Sequence, residues 1–292
     1  MKVSVILITY NHEKYIREAI ESVLMQHINY DVEVIVADDC STDETLDIIK
    51  LYESKTLFAF RYFQQQENIG LVKNYQRAFA AASSEYVAVL EGDDYWTDPY
   101  RLQKHIDFLD THFECVMTYN RNVSYLQESK MFQVDNENLN TNNKYITVKN
   151  LASGNCIGNF STCVYRKTVL DKIDPTIFNM NIADWMVNLA VAQYGLICQL
   201  GEIMSVYRVH NNGEWSKMNR LMRLKMEYDC AESYNKYFEL KYNVEFLSLQ
   251  SYIQSEIEKI ENKKRFNWRS IKRYCPPIAI MIIKLFIPGC KK

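Results

Sequence analysis

Strand-like and helix-like segments alternate four times within the first 110 residues of this 292-residue chain. The runs 2–9, 32–37 and 86–90 are mainly apolar and rich in β-branched residues, which is typical of buried strands, and 58–65 alternates like a strand. The segments between them carry apolar residues at helical spacing. Parallel strands need crossover helices, so this alternation predicts an α/β fold with a mainly parallel sheet.

Several helix starts are predicted from capping residues. Asn11 is expected to cap the first helix, and Ser41 with Glu44 forms the pattern of a capping box for the second. Asp98 followed by Pro99 predicts the start of the helix after the fourth strand.

The fourth strand ends abruptly in the acidic stretch Glu91-Gly92-Asp93-Asp94. Burying an unpaired charge is costly, so acids at the tip of a buried strand must meet water, a cation or a charged ligand. Glu91 and Asp93 point to one face of an extended segment, and Gly92 permits close approach to the backbone. Such oxygen ligands suit Mg²⁺ or Mn²⁺ shared with substrate phosphates, whereas the alternative is a solvated acidic turn.

Three strands of the predicted sheet end in polar or acidic residues. These ends are Thr9-Tyr10-Asn11, Asp38-Asp39 and the acidic stretch. Ligands of open α/β sheets bind beyond the carboxyl ends of the strands, so we expect one cleft that contains carboxylates. Neither a dinucleotide-binding glycine motif nor a P-loop motif occurs in the chain.

These motifs resemble the family 2 glycosyltransferases of the GT-A fold, as in bacterial surface-polysaccharide glycosyltransferases. The resemblance runs in order through 3–26, 37–43, 68–70 and 90–98, within the first ~115 residues. It implies a three-layer αβα sandwich of the GT-A type with a mainly parallel sheet and, after it, a helical C-terminal extension.

The resemblance also implies roles for individual residues. The nucleotide-binding residues expected from it, together with a lysine that could reach a phosphate, are Thr9, Tyr10, Glu13, Asp39, Lys73, Glu91, Gly92 and Asp93. Asp93 or Asp94 is the expected metal ligand, with Mn²⁺ or Mg²⁺ as the cofactor.

Residues beyond the acidic stretch complete the expected site. Asp184 precedes a helical pattern, where capping is its ordinary role, but its place resembles that of the family's catalytic base. His210 could join the metal or the diphosphate, or be structural. Trp96 and Trp185 are assigned to the acceptor side.

The expected organisation has three parts. Residues 1–115 form a nucleotide-sugar-binding half, and 116–216 form the acceptor-side half of the same GT-A domain. Within the second half, 127–149 is polar and Asn-rich and predicts a variable loop or flap. Residues 217–292 are expected to form helices that end in a basic, apolar tail.

The charge distribution bears on the partners of the chain. Residues 263–292 hold nine Lys or Arg and no acid, which leaves 25 basic and 36 acidic residues, a formal charge of −11, in the remainder. An acidic body disfavours nucleic acid as a partner, whereas the basic tail with its short apolar run predicts contact with a membrane interface. The alternative is a tail packed on its own domain or in a homodimer contact. The scattered cysteines and the expected lack of a leader favour a cytoplasmic protein, peripheral on the inner face of the cell membrane.

The sequence thus predicts an inverting, metal-dependent glycosyltransferase. The donor is expected to be a nucleoside diphosphate sugar, UDP-linked by the habit of the family, and the acceptor a glycan or lipid-linked glycan. The alternatives are a sugar nucleotidyltransferase, which would carry a Gly-rich basic loop after the first strand, and a non-catalytic nucleotide-sugar-binding or scaffold protein.

Overall fold

The computed structural model describes residues 1–64, 66–134, 142–181 and 183–274. The ten strands in these ranges are β1 (Val3–Thr9), β2 (Val32–Asp38), β3 (Ala59–Gln64), β4 (Tyr86–Glu91), β5 (Tyr95–Trp96), β6 (Cys115–Leu126), β7 (Met131–Gln133), β8 (Lys144–Ile146), β9 (Cys163–Arg166) and β10 (Leu196–Val209). The nine α-helices are α1 (Ile16–Leu24), α2 (Thr45–Glu53), α3 (Leu71–Ala81), α4 (Arg101–Thr111), α5 (Val148–Ala152), α6 (Lys167–Leu170), α7 (Ala183–Val191), α8 (Arg220–Tyr237) and α9 (Asn243–Tyr274).

The described strands form one sheet with the order β3-β2-β1-β4-β9-β6-β10-β5, while β7 pairs with β6 and β8 pairs with β10. The long ladders are parallel, between β1 and its neighbours β2 and β4, between β2 and β3, and between β6 and β10. The antiparallel ladders span two or three residue pairs each. The prediction of an α/β fold with a mainly parallel sheet and C-terminal helices is therefore confirmed.

The central strands are buried because helices cover both faces of the sheet. Every residue of β1 and β2 is buried, as expected for parallel strands that are covered on both sides. Alternate residues of β1 contribute to two separate hydrophobic clusters: Ile6 and Ile8 pack in one, and Val5 and Leu7 in the other. Residues of α3, α7 and α8 join the first cluster, and residues of α1, α2 and α4 join the second. The result is a three-layer αβα arrangement.

Local hydrogen bonding at the first two helices differs from the prediction. Helix α1 begins at Ile16, and no side chain caps it. Asn11 instead adopts φ of +54° and accepts a hydrogen bond from the Thr42 amide, 2.8 Å away. The capping box of Ser41 and Glu44 is also wrong, since the Asp43 carboxylate accepts from the Thr45 amide at 3.0 Å. These side chains tie two loops together instead of ending a helix.

Helix α4 begins at Arg101, two residues after the predicted start at Pro99. Asp98 nevertheless accepts a hydrogen bond from the amide of Tyr100 at 2.8 Å, so it stabilises the turn that leads into the helix.

The segment 127–149 is more regular than the predicted loop. It contains β7, which forms a hairpin with β6, and β8, which pairs with β10. The most Asn-rich part of the predicted loop, 135–141, lies outside the described residues, as does the apolar end of the predicted membrane tail, 275–292. Within the described ranges, no helix combines the length and the apolar character that crossing a bilayer requires.

Candidate active site

The carboxyl ends of β1, β2 and β4 lie side by side at one end of the sheet, as predicted from the polar residues at these ends. Thr9 at the end of β1 is in register with Asp38 of β2, and Ile8 is in register with Glu91 of β4. The Gly92 amide donates to the Ile8 carbonyl at 2.8 Å, and the Asp39 amide donates to the Thr9 carbonyl at 3.0 Å. These parallel pairings place the acidic ends of β2 and β4 on either side of Thr9, at the same end of the sheet.

The acidic loop, Glu91 to Asp94, holds the densest negative charge of this edge. One carboxylate oxygen from each of Glu91, Asp93 and Asp94 lies within 4.8 Å of the others. Like charges this close disfavour simultaneous ionisation, while a divalent cation among them would favour it. The donor set of carboxylate oxygens suits a hard cation such as Mg²⁺ or Mn²⁺.

Asp94 is held by protein donors on both of its oxygens. Its Oδ2 accepts hydrogen bonds from Ser161 Oγ at 2.6 Å and from Asn159 Nδ2 at 3.0 Å. Its Oδ1 accepts from the Arg208 amide at 2.8 Å. Burial and the neighbouring charge of Asp93 nevertheless raise the pKa of the Asp94 carboxyl to about 7. Asp94 is thus a fixed structural member of the loop.

Asp93 is flanked by two histidines. Its Oδ2 lies 3.0 Å from His210 Nε2 and 3.9 Å from His12 Nε2. Burial raises the pKa of the Asp93 carboxyl, but the field of His12 and the hydrogen bond from His210 outweigh it, and the pKa lies below its usual value. Asp93 is therefore the acid of this loop that is best suited to remain ionised. His210, a predicted metal ligand, is placed to hold Asp93.

Glu91 contacts the buried hydroxyl of Tyr75, which donates a short hydrogen bond to Glu91 Oε1. Burial, together with the charges of Asp94 and Asp93, raises the pKa of the Glu91 carboxyl well above its ordinary value. Asp184 adds to the same field.

Gly92 lies tightly against the loop that follows β1. A Cβ at this position would lie 2.8 Å from both Thr9 Oγ1 and His12 Nδ1. Both of these polar atoms are buried, and neither has a hydrogen-bond partner among the described residues. Thr9, a predicted nucleotide-binding residue, therefore faces the acidic loop, and only a residue without a side chain fits at 92.

Arg208 braces the acidic loop from the end of β10. Its side chain is 4% exposed, and its Nε donates to the backbone carbonyl of Asp93 at 2.8 Å. The guanidinium also donates to Gln127 Oε1 at 2.6 Å and pairs with Glu18 of α1. A cage of tyrosine rings surrounds it at 5.1 to 5.5 Å, formed by Tyr15, Tyr95 and Tyr125. One buried cation therefore links α1, β6 and the acidic loop.

Asp39, the residue expected to contact the base of the nucleotide, holds the loop before α3. Its side chain is 3% exposed, and its oxygens accept from the amides of Ile69 at 2.9 Å and Gly70 at 2.8 Å. Gly70 adopts φ of +85°, in the left-handed region that favours glycine. Asp39 therefore shapes the 68–70 loop that was itself part of the predicted motif.

The other predicted nucleotide-side residues lie around this edge of the sheet. Tyr10 is 43% exposed. Glu13 is exposed, and its Oε2 accepts from the Glu44 amide at 3.3 Å. Lys73 on α3 donates to Asn179 Oδ1 at 2.8 Å, so its ammonium group points to the segment that leads into α7.

Asp184 lies in the first turn of α7, as predicted for the candidate base. Its Oδ2 accepts a hydrogen bond from Asn155 Nδ2 at 3.3 Å. Burial raises the pKa of the Asp184 carboxyl above its usual value, although the Trp185 amide and Asn155 oppose the rise. A carboxylate with a raised pKa is a stronger proton acceptor than an exposed one.

Two predicted acceptor-side residues belong to the core instead. Trp96 and Trp185 are each 1% exposed. The Trp96 indole donates to the Ser161 carbonyl at 2.8 Å, and that of Trp185 donates to the Leu151 carbonyl at 2.9 Å. Because their rings are buried and their N–H groups are paired inside the protein, neither can contact an acceptor. This corrects their assignment.

Several residues of the site were not assigned from the sequence. Tyr75, His12, Asn155, Asn159 and Ser161 each contact one of the predicted acids or lie beside it. The sequence feature that could have indicated a role is the presence of three polar residues in a partly apolar stretch, namely Asn155, Asn159 and Ser161. Their partners are 29 to 67 residues away along the chain, beyond the reach of local patterns.

Comparison with known proteins agrees with this architecture. The chain is similar to the uncharacterized protein Rv1520 of Mycobacterium tuberculosis, with 36% identity over 212 residues, which is 73% of this chain and 60% of that protein. It is similar to the poly(ribitol-phosphate) beta-N-acetylglucosaminyltransferase TarS of Staphylococcus aureus, with 36% identity over 118 residues, 40% of this chain and 20% of TarS. The chain thus spans 60% of the length of its mycobacterial relative.

Two solved structures share the fold. TarS 1–349 in complex with UDP-GlcNAc has a TM-score of 0.61 at 23% identity, covering 78% of this chain and 66% of that one. The mannosyltransferase PcManGT from Pyrobaculum calidifontis, in complex with GDP-Man and Mn²⁺, has a TM-score of 0.65 at 14% identity, covering 97% and 79%.

A family model described as "Glycosyl transferase family 2" matches residues 4–174, a range that includes the acidic loop and ends before Asp184 and Arg208. Since this match covers more than half of the chain, the protein belongs to glycosyl transferase family 2.

Proposed function

We propose that the protein transfers a sugar from a nucleoside diphosphate sugar to a hydroxyl group of a glycan or lipid-linked glycan, with inversion at the anomeric carbon. The observation that carries this proposal is the joint presence of the acidic loop and Asp184, a half-buried carboxylate that residues 155–159 connect to the loop by hydrogen bonds to Asp184 and Asp94. Membership of the family supplies the reaction class.

The donor side is proposed to be formed by Thr9, Tyr10, Glu13, Asp39 and Lys73, around the ends of β1 and β2. UDP is our proposed nucleotide, since the similar TarS was solved with UDP-GlcNAc and UDP. PcManGT was solved with GDP-Man, so the nucleotide is the part of this proposal that a binding panel must test first.

The acidic loop fits a divalent cation. Its three carboxylate oxygens lie within 4.8 Å of one another, and the proposed ion is Mn²⁺ or Mg²⁺. Asp93 is the better ligand candidate, because both oxygens of Asp94 already accept hydrogen bonds from the protein. When bound, the cation would offset the negative charge of the donor diphosphate.

Asp184 is proposed to accept the proton of the acceptor hydroxyl. The hydroxyl oxygen forms a bond to the anomeric carbon from the face opposite the diphosphate, whose bond to that carbon breaks with the electron pair leaving on the diphosphate. One displacement inverts the anomeric centre, and no covalent enzyme intermediate is needed. The raised pKa of the Asp184 carboxyl improves its match to this proton transfer.

Our proposals for the acceptor and for the cellular location are based on the sequence of the C-terminal region. Nine basic residues without an acid in 263–292 favour contact with an anionic membrane surface, which would suit a lipid-linked acceptor on the inner face of the cell membrane. The homodimer contact and the boundaries at residues 115 and 216 remain predictions.

The proposal is tested by incubating the protein with UDP-sugars, Mn²⁺ and a panel of glycan acceptors. Acceptor-dependent release of UDP is expected, with a product of inverted configuration by NMR. Release of pyrophosphate from a sugar phosphate and a nucleoside triphosphate would identify a nucleotidyltransferase instead, and binding of UDP-sugar without turnover would identify a non-catalytic protein.

The role of Asp184 is tested with Asp184→Asn. We expect the rate of transfer to fall about 10²–10⁴-fold, the range for a positioned acid or base, with unchanged UDP binding. Asp174→Asn is the matched control, because Asp174 also begins a helix and accepts from the Thr176 amide at 2.9 Å. Near-normal turnover of Asp184→Asn would place the base elsewhere.

A further inference from the structure

Residues 155–161 contact both Asp184 and the acidic loop, the two parts of the site on which the proposed reaction depends. Asn155 donates to Asp184 Oδ2 at 3.3 Å, and Asn159, four residues later, donates to Asp94 Oδ2 at 3.0 Å. Ser161 adds a second donor to Asp94 Oδ2 at 2.6 Å and accepts from the Glu91 amide at 3.1 Å. One short segment therefore joins the candidate base to the acidic loop.

Both asparagine amides are oriented in the same way. The Oδ1 of Asn155 accepts from the Gly158 amide at 3.2 Å, and the Oδ1 of Asn159 accepts from the Ser161 amide at 2.6 Å. A backbone N–H can only be satisfied by the oxygen end of the side-chain amide, so the NH₂ end of each asparagine must point to its carboxylate. The segment presents two donors whose direction is set by its own backbone.

The segment is itself anchored on both sides. Phe160 is 3% exposed, and its ring packs against that of Tyr75 with centroids 4.4 Å apart. Gly158, with φ of +66°, turns the chain between the two asparagines. The Ser161 carbonyl receives the indole of Trp96 at 2.8 Å. The two donors therefore project from a packed support, which is what precise placement of catalytic groups requires.

We propose that 155–161 is a positioning segment that sets the separation and orientation of the base relative to the acidic loop, with Asn155 as the positioning residue of Asp184. This inference rests on the proposed function and assigns a positioning role within it to residues 155–161. Through its bond to Oδ2, and together with the Trp185 amide, Asn155 restrains the orientation of the Asp184 carboxylate, the group that would accept the proton.

The test compares Asn155→Ala with Asn150→Ala in the full chain. Asn150 is the matched control because it makes purely structural hydrogen bonds in the cap of α5, to Thr147. Asn155→Ala is expected to lower kcat about 10- to 100-fold while the KM for the donor and the affinity for Mn²⁺ change less than about twofold. Asn150→Ala is expected to leave kcat unchanged. Equal kcat values for Asn155→Ala and the wild type would overturn the inference, as would equal losses in both variants.

A double-mutant cycle shows whether Asn155 acts through Asp184. In the Asp184→Asn background, with the residual rate measured over hours, Asn155→Ala is expected to change the rate by less than about twofold. A further loss as large as in the wild-type background would overturn the assignment. The ratio of the transfer rates of the wild type and Asp184→Asn tests the proposed function. The effect of Asn155→Ala on the transfer rate, compared between the wild-type and Asp184→Asn backgrounds, tests the positioning role. The two hypotheses can therefore fail separately.

Gly158 supplies a second variant that leaves every side-chain donor in place. No heavy atom lies within 4 Å of the position that a Cβ would take at Gly158, so its substitution acts through the backbone angle alone. Asn tolerates the left-handed region and Val does not. Gly158→Asn is expected to retain kcat, and Gly158→Val to lower it about 10-fold or more at unchanged donor KM. Wild-type kcat in Gly158→Val would contradict a role for this turn.

Discussion

The Nε of Arg208 donates a hydrogen bond to the backbone carbonyl of Asp93 at 2.8 Å, and the Arg208 amide donates to Asp94 at the same distance. Strand β10 therefore holds two successive residues of the acidic loop. The charge of Arg208 is shared with Glu18 and the tyrosine cage. Arg208 therefore supports the loop structurally. It lies near the proposed diphosphate site, but its guanidinium group already binds protein groups.

Arg208→Lys should therefore weaken the site while keeping the charge. A lysine ammonium lacks the planar fork that reaches Asp93, Gln127 and Glu18 together. We expect a loss of about 2–4 kcal/mol in the free energy of unfolding and at least a tenfold weaker affinity for Mn²⁺. Urea unfolding and calorimetric titration measure these two quantities. Wild-type Mn²⁺ affinity in Arg208→Lys would contradict the bracing role.

Asp93 and Asp94 should differ in what their substitution removes. Asp93→Asn is expected to weaken Mn²⁺ binding at least 10-fold with little change in melting temperature. In Asp94→Asn the new amide nitrogen would face a donor in either orientation, Asn159 and Ser161 on one side or the Arg208 amide on the other, so the melting temperature should fall by several degrees. Thermal melts with and without Mn²⁺ separate the two. The opposite pattern would make Asp94 the principal ligand.

The stability of the cation-free protein should fall as the pH rises through neutrality. Folding raises the pKa of the Asp94 carboxyl to about 7 and that of Glu91 well above normal, so the native state binds more protons than the unfolded chain between about pH 4 and 7. Stability from these groups is present at low pH and is lost as the pH rises through the folded pKa. The melting temperature should drop from pH 6 to pH 8.

Mn²⁺ should restore more stability at pH 8 than at pH 6, because cation and protons compete for the same oxygens. Glu33 and Asp43 do not contribute to this difference, because their pKa values are lowered and their stabilising effect changes only in the acid range. A melting temperature that is flat or rises from pH 6 to pH 8 would contradict this prediction.

Gly92→Ala should be more damaging than Gly70→Ala. The added methyl at 92 would lie 2.8 Å from Thr9 Oγ1 and His12 Nδ1, whereas no heavy atom lies within 4 Å of a Cβ at 70. We expect about 1–3 kcal/mol of destabilisation from overpacking at 92, with weakened donor binding. At 70, only the left-handed backbone angle costs energy, about 1–2 kcal/mol. Equal donor affinity in Gly92→Ala and the wild type would show that the acidic loop tolerates displacement.

The parts of this protein that follow local patterns could be predicted from its sequence. Strands β1, β2 and β4 are mainly apolar runs, and their polar or acidic ends had to reach one edge of a parallel sheet. Asp184 could be placed at a helix start because apolar residues at helical spacing follow it. These inferences need only spacing and burial preferences within a few residues.

The parts that depend on tertiary packing could not be predicted. The polar side chains of Asn11 and Ser41 could satisfy a helix end or another loop, and only the packed chain decides between these. The exposure of Trp96 is set by Arg101 and Ser161, which neighbour it in space. The tyrosine cage likewise collects rings from residues 15, 95 and 125, which share no sequence pattern.

The distance of 115 residues between Asp93 and Arg208 has a consequence for biosynthesis. Translation proceeds from the N-terminus, so β1 to β4 leave the ribosome well before β10. During this interval the three clustered acids lack their arginine clamp. A truncated translation product that ends before Arg208 will therefore lack the hydrogen bonds from Arg208 to Asp93 and Asp94, and the acidic loop is braced only after β10 has been made.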